Sequence, residues 1–504
     1  MVRTSDFDSL DPGNTYYAFS WNFLRLLGRT LVTFRPAPGA LGAQLVPDLA
    51  RTLGVPSDGG KTWTYTLRRG VRYQDGCPVV AADVRNAIAR SNFRPHERSG
   101  GPMYFRDLLG GIEAVQTPDD VTVVFRLREP FAGMDLLATL PSTTPVPPDR
   151  DDAPPACGPY RVHRYRPGDR LELVRNPYWA RATDPIRPAL PDRIVADLGL
   201  DPQEVDDRLL DGRADIDLAG VGVQAATLDR IMSEPGLRAR ADNPLNGFTW
   251  MFAMSRRVPP FDDVHCRRAV QYATDKVAMQ AAYGGPLGGD IAGTILPPTI
   301  DGHEDFDLYP ARSGRPDLAA ARAELLAAGR PAGFRTRIAA RLDRRKEFEA
   351  ARALSESLAE VGIAAEVVGF QSGDYFAKYA GVPQYLQRHG IGIVMFGWGA
   401  DFPDGYGFLH QIVHGRAIKA VGNHNFGELD LPEVNSILDA AACLPAAADR
   451  RRAWARVDRL VMQDASIVPY LHAKSLLFRG PAATNVYVSG GYGMYDYAAL
   501  GVDP

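Results

Sequence analysis

The sequence predicts an α/β protein, and two observations carry that prediction. Before residue 176, apolar residues alternate along short runs punctuated by turn residues, as antiparallel hairpins require. Past residue 310, short apolar runs alternate with amphipathic helical patterns, as βαβ units require. The chain has 504 residues, about three domains' worth of material. Its composition, 45% hydrophobic and 23% charged, is that of an ordinary globular protein.

The elements follow in order. "KTWTYTLRRGVRYQD" (61–75) places Trp63, Tyr65 and Leu67 on one face and turns at Arg69-Gly70 toward Val71 and Tyr73, so a hairpin is expected. "AADVRNAIARSNF" has helical spacing, and 112–127 reads as a second hairpin around "QTPDD". The Pro-rich, acidic stretch 141–159 reads as a linker or boundary. "YRVHRYRPGDRLELVRN" gives a third hairpin with "PGD" as its turn. Further on, Pro316-Asp317 starts a helix that Gly329 stops. "FRTRIAARL" is a strand. Phe348, Ala351, Leu354, Leu358 and Val361 then share one helix face, and "IAAEVVGF" is the next strand. Residues 334–370 are thus expected to form parallel sheet with helical cover. "GIGIVMF" is a further, buried strand. It ends in "GWGADFPDGYGF", and the carboxyl ends of strands are where open α/β sheets hold ligands.

Several function classes fall away. Net charge is −3 with acids and bases mixed, so the basic stripe of a nucleic-acid binder is absent. No apolar run of about 18 residues spans a membrane. Cysteines 77, 157, 266 and 443 form no CxxC motif and read as buried free thiols. "GVPSDGGKT" (54–62) lacks the phosphate-binding glycine at Val55 and runs into a strand, so it reads as a turn. His410 and His414 are one helical turn apart with His424 nearby, but no third metal ligand is fixed, and no metal or other cofactor is expected. There is no G-x-S-x-G elbow. Asp401 and Asp404 are a candidate acid–base pair, or Asp404 is a cap before Gly405. Trp398 and Asp401 suit a cationic ligand, because a buried carboxylate needs a partner and an indole face favours a cation. The structural alternative is that Trp398 fills a core and Asp401 caps the next segment.

A resemblance over most of the chain favours binding. In order, "SLDPGNTYYAFSWNFLRLLGRTLVTF" (9–34), the segment 48–84, "IEAVQTPDDVTVVFRLREPF" (112–131), "CGPYRVHRYRPGDRLELVRNPYW" (157–179), "VPPFDDVHCRRAVQYATDK" (258–276), "FGWGADFPD" (396–404) and "VPYLH" (468–472) resemble the oligopeptide/dipeptide/nickel-binding family (family 5) of ABC-importer solute-binding proteins. The resemblance implies a two-lobed, periplasmic-binding-protein-like fold (class II, cluster C) with a hinge and an extra N-terminal α/β domain. The lobes would be 1–35, 155–245 and 470–504 for the first and 246–469 for the second, with 36–154 as the extra domain. It implies no catalysis, a monomer, a peptide or small-molecule ligand held between the lobes, and ABC permease subunits as partners. Asp401 matches the aspartate that meets a peptide ammonium in relatives, and Trp398 the neighbouring indole. Gly397 and Gly399 are expected to let backbone approach the ligand. Tyr17 and Trp250 are expected to line the cleft. The residues before Trp398 are apolar where some relatives carry a basic one, and Arg388 is the nearest substitute for holding a ligand carboxylate. The resemblance implies extracytoplasmic work with a lipid anchor. "MVRTSDFDSLDPG" has no signal-peptide core and Cys77 lies too late to be an anchor, so a trimmed export signal or a cytoplasmic protein is expected.

Overall fold

The computed structural model describes residues 1–93, 111–150, 155–218, 222–309 and 313–503. The chain divides into two compact units, Met1–Pro244 with Leu476–Pro504, and Leu245–Ser475. The backbone therefore crosses between them after Pro244 and again after Ser475.

The second unit is built on a six-stranded mixed sheet. Its strands are β1 (Leu245–Met254), β2 (Gly289–Ile291), β3 (Arg335–Arg341), β4 (Ala364–Phe370), β5 (Ile391–Gly399) and β6 (Ile467–Lys474), in the spatial order β2-β6-β1-β5-β3-β4. The expected parallel unit is present: β3 pairs parallel with β4 and with β5. β5 also pairs antiparallel with β1, and β1 with β6. β6 thus carries residues 470–474 into this unit, although the sequence reading gave them to the other lobe. The reason is register: Leu471 and His472 lie opposite Trp250 and Thr249.

Helices cover both faces of this sheet. Met251, Ala253, Val394 and Phe396 pack with helices Gly405–Val413, Pro432–Ala442 and Ala447–Asp464. Phe252, Met254, Ile393 and Met395 pack with helices Val264–Ala273, Leu318–Ala327 and Arg345–Ala359. A strand buried on both faces must be apolar throughout, which explains the unbroken run Ile391–Phe396. Each large apolar side chain sealed there contributes about 1.5–3 kcal/mol. Helix Leu318–Ala327 begins where expected: the Asp317 carboxylate accepts the Ala320 N–H at 2.9 Å, and Gly329 follows the helix in the left-handed region.

In the first unit, four antiparallel strands run in the order Val55–Ser57, Thr62–Thr66, Thr122–Leu127, Ile112–Gln116. The hairpins at 112–127 and 160–175 form as read. The one at 61–75 does not. Thr62–Thr66 pairs with Thr122–Leu127, while Val71 and Tyr73 turn back on Val79 and Cys77. Alternation fixed the buried face, since Trp63, Tyr65, Leu67, Val71 and Tyr73 are all buried, but it carries no information on the pairing partner. Nor is the Pro-rich stretch a free linker. Residues 141–143 are buried, and Val146 bonds Asp83 and Asn86 of the preceding helix; residues 151–154 lie outside the described residues.

The first unit also holds a fully buried charge cluster. Arg29 Nε meets Asp48 at 2.9 Å, and Arg187 meets Asp48 at 2.5 Å and Asp184 at 3.2 Å. All four side chains are inaccessible to solvent. The cluster ties together three segments that are distant in sequence.

None of the four cysteines forms a disulfide, and only Cys157 and Cys266 are buried; Cys77 and Cys443 are exposed. Residues 54–62 form a short strand and turn, with Gly59 and Gly60 at positive φ.

Candidate functional site

β5 delivers its last residues to the rim of the sheet. Facing positions on β1 are Trp250 for Gly397, Thr249 for Trp398 and Phe248 for Gly399. Because neighbouring residues on a strand point to opposite faces, the two tryptophans separate. Trp398 packs on the core that contains Phe396, whereas Trp250 packs on the opposite core, 5.0 Å from the Tyr283 ring.

The glycines have a packing role. A Cβ on Gly397 would lie 2.1 Å from Phe248 Cε1, and one on Gly399 would lie 2.8 Å from Phe248 Cδ2. Neither glycine has a positive φ. The Phe248 ring, rather than an approaching ligand, accounts for both absences of a side chain.

Past Gly399 the two acids diverge. Asp404 is buried and caps helix Gly405–Val413, its Oδ1 accepting the Tyr406 N–H at 2.8 Å. Burial raises it to about 6 against that hydrogen bond. Asp401 is half-buried. Among the described residues, no cation and no hydrogen-bond donor other than its own N–H meets its carboxylate. Burial pushes it up to about 8. Trp398, three residues earlier, keeps its indole Nε1 buried without a hydrogen-bond partner among the described residues.

The remaining candidates scatter. Tyr17 belongs to the first unit, is 52% exposed at the start of helix Ala18–Leu24, and stacks on Phe19 at 5.8 Å. Arg388 is exposed on helix Pro383–His389, which precedes β5, while Asp401 follows its other end. Nine strand residues separate them by roughly 30 Å, so one small ligand cannot touch both. His414 is fully engaged: Nδ1 accepts the Arg416 N–H at 2.9 Å and Nε2 faces Asp439 at 3.2 Å. Burial, with His414 beside it, lowers His410 to about 4. Among the described residues no group of three His, Cys, Asp or Glu side chains is placed to hold a metal.

His424, which the sequence associates with the other two histidines, lies instead against Trp398, ring centroids 5.2 Å apart. The only sequence signal was the alternation Asn423-His424-Asn425, whose outer members are buried.

A two-unit α/β chain that presents an unpaired acid and an indole at the carboxyl end of a sheet strand has the architecture of a periplasmic-type binding protein. The chain belongs to the bacterial extracellular solute-binding proteins, family 5, whose "Middle" family model matches residues 44–420. Members of that family act outside the cytoplasm and work with ABC permease subunits. The chain is similar to the solved structure described as "Clavulanic acid biosynthesis oligopeptide binding protein 2", with 45% identity and a TM-score of 0.92 over 100% of this chain and 95% of that one. HbpA2 from Haemophilus parasuis shares the fold, with a TM-score of 0.84 at 18% identity over 100% of this chain and 99% of that one. Heme-binding protein A of Haemophilus influenzae is 25% identical over 491 residues, 91% of this chain and 84% of that protein. Glutathione-binding protein GsiB of Salmonella paratyphi A is 26% identical over 364 residues, 68% of this chain and 65% of that one. No helix among the described residues is long and apolar enough to cross a membrane.

Proposed function

We propose that this chain captures a short peptide by hinge closure and delivers it to a membrane permease, with Asp401 receiving the ligand's ammonium. The observation that carries this reading is the carboxylate itself. A half-buried acid with no cation near it among the described residues is costly to ionise, and a ligand ammonium relieves that cost. The indole of Trp398 gives the same cation a favourable face. The ligand shifts the open–closed equilibrium only as far as its contacts differ between the two states. The chain itself does no chemistry and returns its ligand unchanged.

The test is calorimetric titration of short peptides into the native chain and Asp401→Ala. Loss of one charge-assisted contact is expected to weaken binding roughly 30- to 100-fold. Unchanged affinity in the variant would exclude Asp401 as the ammonium site.

A second reading has one observation behind it. The 45%-identical protein's description joins oligopeptide binding to clavulanic acid biosynthesis. This supports a specialised metabolite as an alternative ligand of the same site. Mass spectrometry of whatever co-purifies separates the two: a ladder of peptide masses supports the first, a single non-peptide mass the second.

A further inference from the structure

Trp398 ends a strand and Asp401 sits on the loop that follows, so both can serve one ligand only if that loop keeps its shape. The loop has a brace behind it. We propose that Asp458, fully buried on helix Ala447–Asp464, is a positioning residue for the ligand site: its carboxylate holds segment 295–302, and that segment holds the strand pair at Trp398 and the loop of Asp401 in fixed relation. This rests on the reading of Asp401 above.

Four observations carry it. The first is at Asp458 itself. Its Oδ1 accepts the Ile295 N–H and its Oδ2 the Leu296 N–H, each at 3.0 Å. Among the described residues no cation pairs with it, and Arg459, next on the helix, lies over the Phe306 ring at 4.4 Å. A carboxylate sealed from water without a cation is costly, and here it fixes two consecutive amides of one segment. Secondly, that segment reaches the strand pair at the indole. Ile295 O accepts the Thr249 hydroxyl at 3.1 Å, and Thr249 is the β1 residue opposite Trp398. Thirdly, the far end of the segment reaches the acid's loop. The Asp301 N–H donates to Pro403 O at 3.2 Å, two residues past Asp401, and Asp301 forms a parallel bridge with Asp404. The fourth observation is a wedge. Trp454 lies one helical turn before Asp458 and is fully buried. A Cβ on Gly302 would lie 2.5 Å from Trp454 Cβ, and one on Gly405 would lie 2.7 Å from the same atom. Two glycines, one on the segment and one just past the loop, thus give way to a single side chain, and the helix that carries Asp458 clamps both. The other end of the segment is held as well: His303 Nδ1 meets Leu296 O at 2.8 Å, and Lys276 Nζ donates to Ala292 O at 2.7 Å. A buried polar network of this kind makes its surroundings rigid and specifies one arrangement.

The test uses the full chain, titrated calorimetrically with trialanine and with N-acetyl-trialanine. The native chain is expected to prefer trialanine by about tenfold or more, and Asp401→Asn to lose that preference. Asp458→Asn keeps the size of the side chain and one acceptor oxygen but turns an amide N–H toward the second backbone N–H. It is expected to cut the amine preference by about threefold or more, while N-acetyl-trialanine binds almost as before, because the loss falls on the ammonium contact. Gly302→Ala disturbs the brace from its other end, with Asp458 and Asp401 both in place, and is expected to act in the same way. Leu325→Ala is the control. It empties a fully buried position in the core on the other face of the sheet, so the urea midpoint falls and the amine preference stays. In the native chain, saturating trialanine is expected to slow hydrogen exchange at the Ile295, Leu296 and Asp301 amides, because coupling is reciprocal. If Asp458→Asn and Gly302→Ala lower the midpoint but keep the native preference, as Leu325→Ala does, Asp458 is a structural residue only and the Asp401 reading stands. The same conclusion follows if those three amides exchange alike with and without trialanine. If the native chain shows no amine preference, or Asp401→Asn keeps it, the Asp401 reading fails and the positioning role fails with it.

Discussion

Two sets of carboxylates withdrawn from water, one in each unit, behave in opposite ways. In the first unit Asp48 and Asp184 lie fully buried against Arg29 and Arg187. Burial alone would raise Asp184, but the guanidiniums of Arg187 and Arg29 hold it well below the usual carboxylate range. In the second unit Asp401 is less deeply buried and meets no cation among the described residues, and it rises to about 8. Burial therefore does not by itself make an acid a candidate for function; burial without an internal cation is what makes Asp401 one. The first set has its counter-charges in the fold, while for Asp401 the proposed counter-charge is the ligand's ammonium.

The largest expected effect lies in the paired cluster. Arg187→Met leaves Asp48 and Asp184 buried with half their counter-charge gone. Breaking a buried pair from one side costs about 3–5 kcal/mol, so the urea midpoint should fall steeply. Replacing Arg29, Arg187, Asp48 and Asp184 together with apolar residues should cost less than Arg187→Met alone. If the single variant unfolds at the native urea concentration, the cluster is not the paired structural element it is taken for here.

Asp401 should respond to pH rather than to packing. Its folded pKa lies above the unfolded value near 4, so the folded chain binds more protons through that window. Stability should therefore fall as pH rises from about 4 to 8, by of order 2 kcal/mol once residual solvent contact is allowed for. Asp401→Asn should remove that part of the slope, which urea titrations at pH 5, 7 and 9 would show. Binding of an ammonium needs the ionised acid. Complex formation at pH 7 should then release nearly one proton, visible as a dependence of the calorimetric heat on buffer ionisation. Affinity should rise up to tenfold per unit between pH 5 and 7, where a peptide ammonium of pKa about 8 stays charged. A buffer-independent heat would show that Asp401 is already ionised and would remove the contrast with Asp184.

The same contrast bears on what could be read from the sequence. The strands and helices past residue 310 were legible because strands sealed on both faces must be apolar and their covering helices must carry a stripe at Ala351, Leu354 and Leu358. Asp401 and Trp398 stood out as candidates because they sit together in a motif. What remained hidden depended on pairing between distant segments. Alternation in 61–75 gave the buried face but not the partner strand. The reason for Gly397 and Gly399 is a ring on another strand, and Arg388 lay near Trp398 in sequence but at the wrong end of β5. Asp48 has no local signal, since its partners Arg29 and Arg187 come from other segments of the chain.

The smallest expected effect calibrates the other two. Asp317 is an exposed carboxylate that accepts the Ala320 N–H at 2.9 Å, at the start of a helix on the opposite face of the sheet from Trp398. Water competes for that contact, so Asp317→Ala should cost about 1 kcal/mol, the ordinary loss of an N-cap, with an unchanged denaturant slope. Ligand affinity should not move. The carboxylates would then order by three environments: partnered and buried, where loss of the partner costs the most stability; half-buried without an internal cation among the described residues, where loss of the acid weakens binding; exposed and capping, where loss is slight. If Asp317→Ala were as damaging as Arg187→Met, the helix cap rather than the buried ion pairs would limit stability. The large effect in the first unit would then say little about how buried charge is treated there.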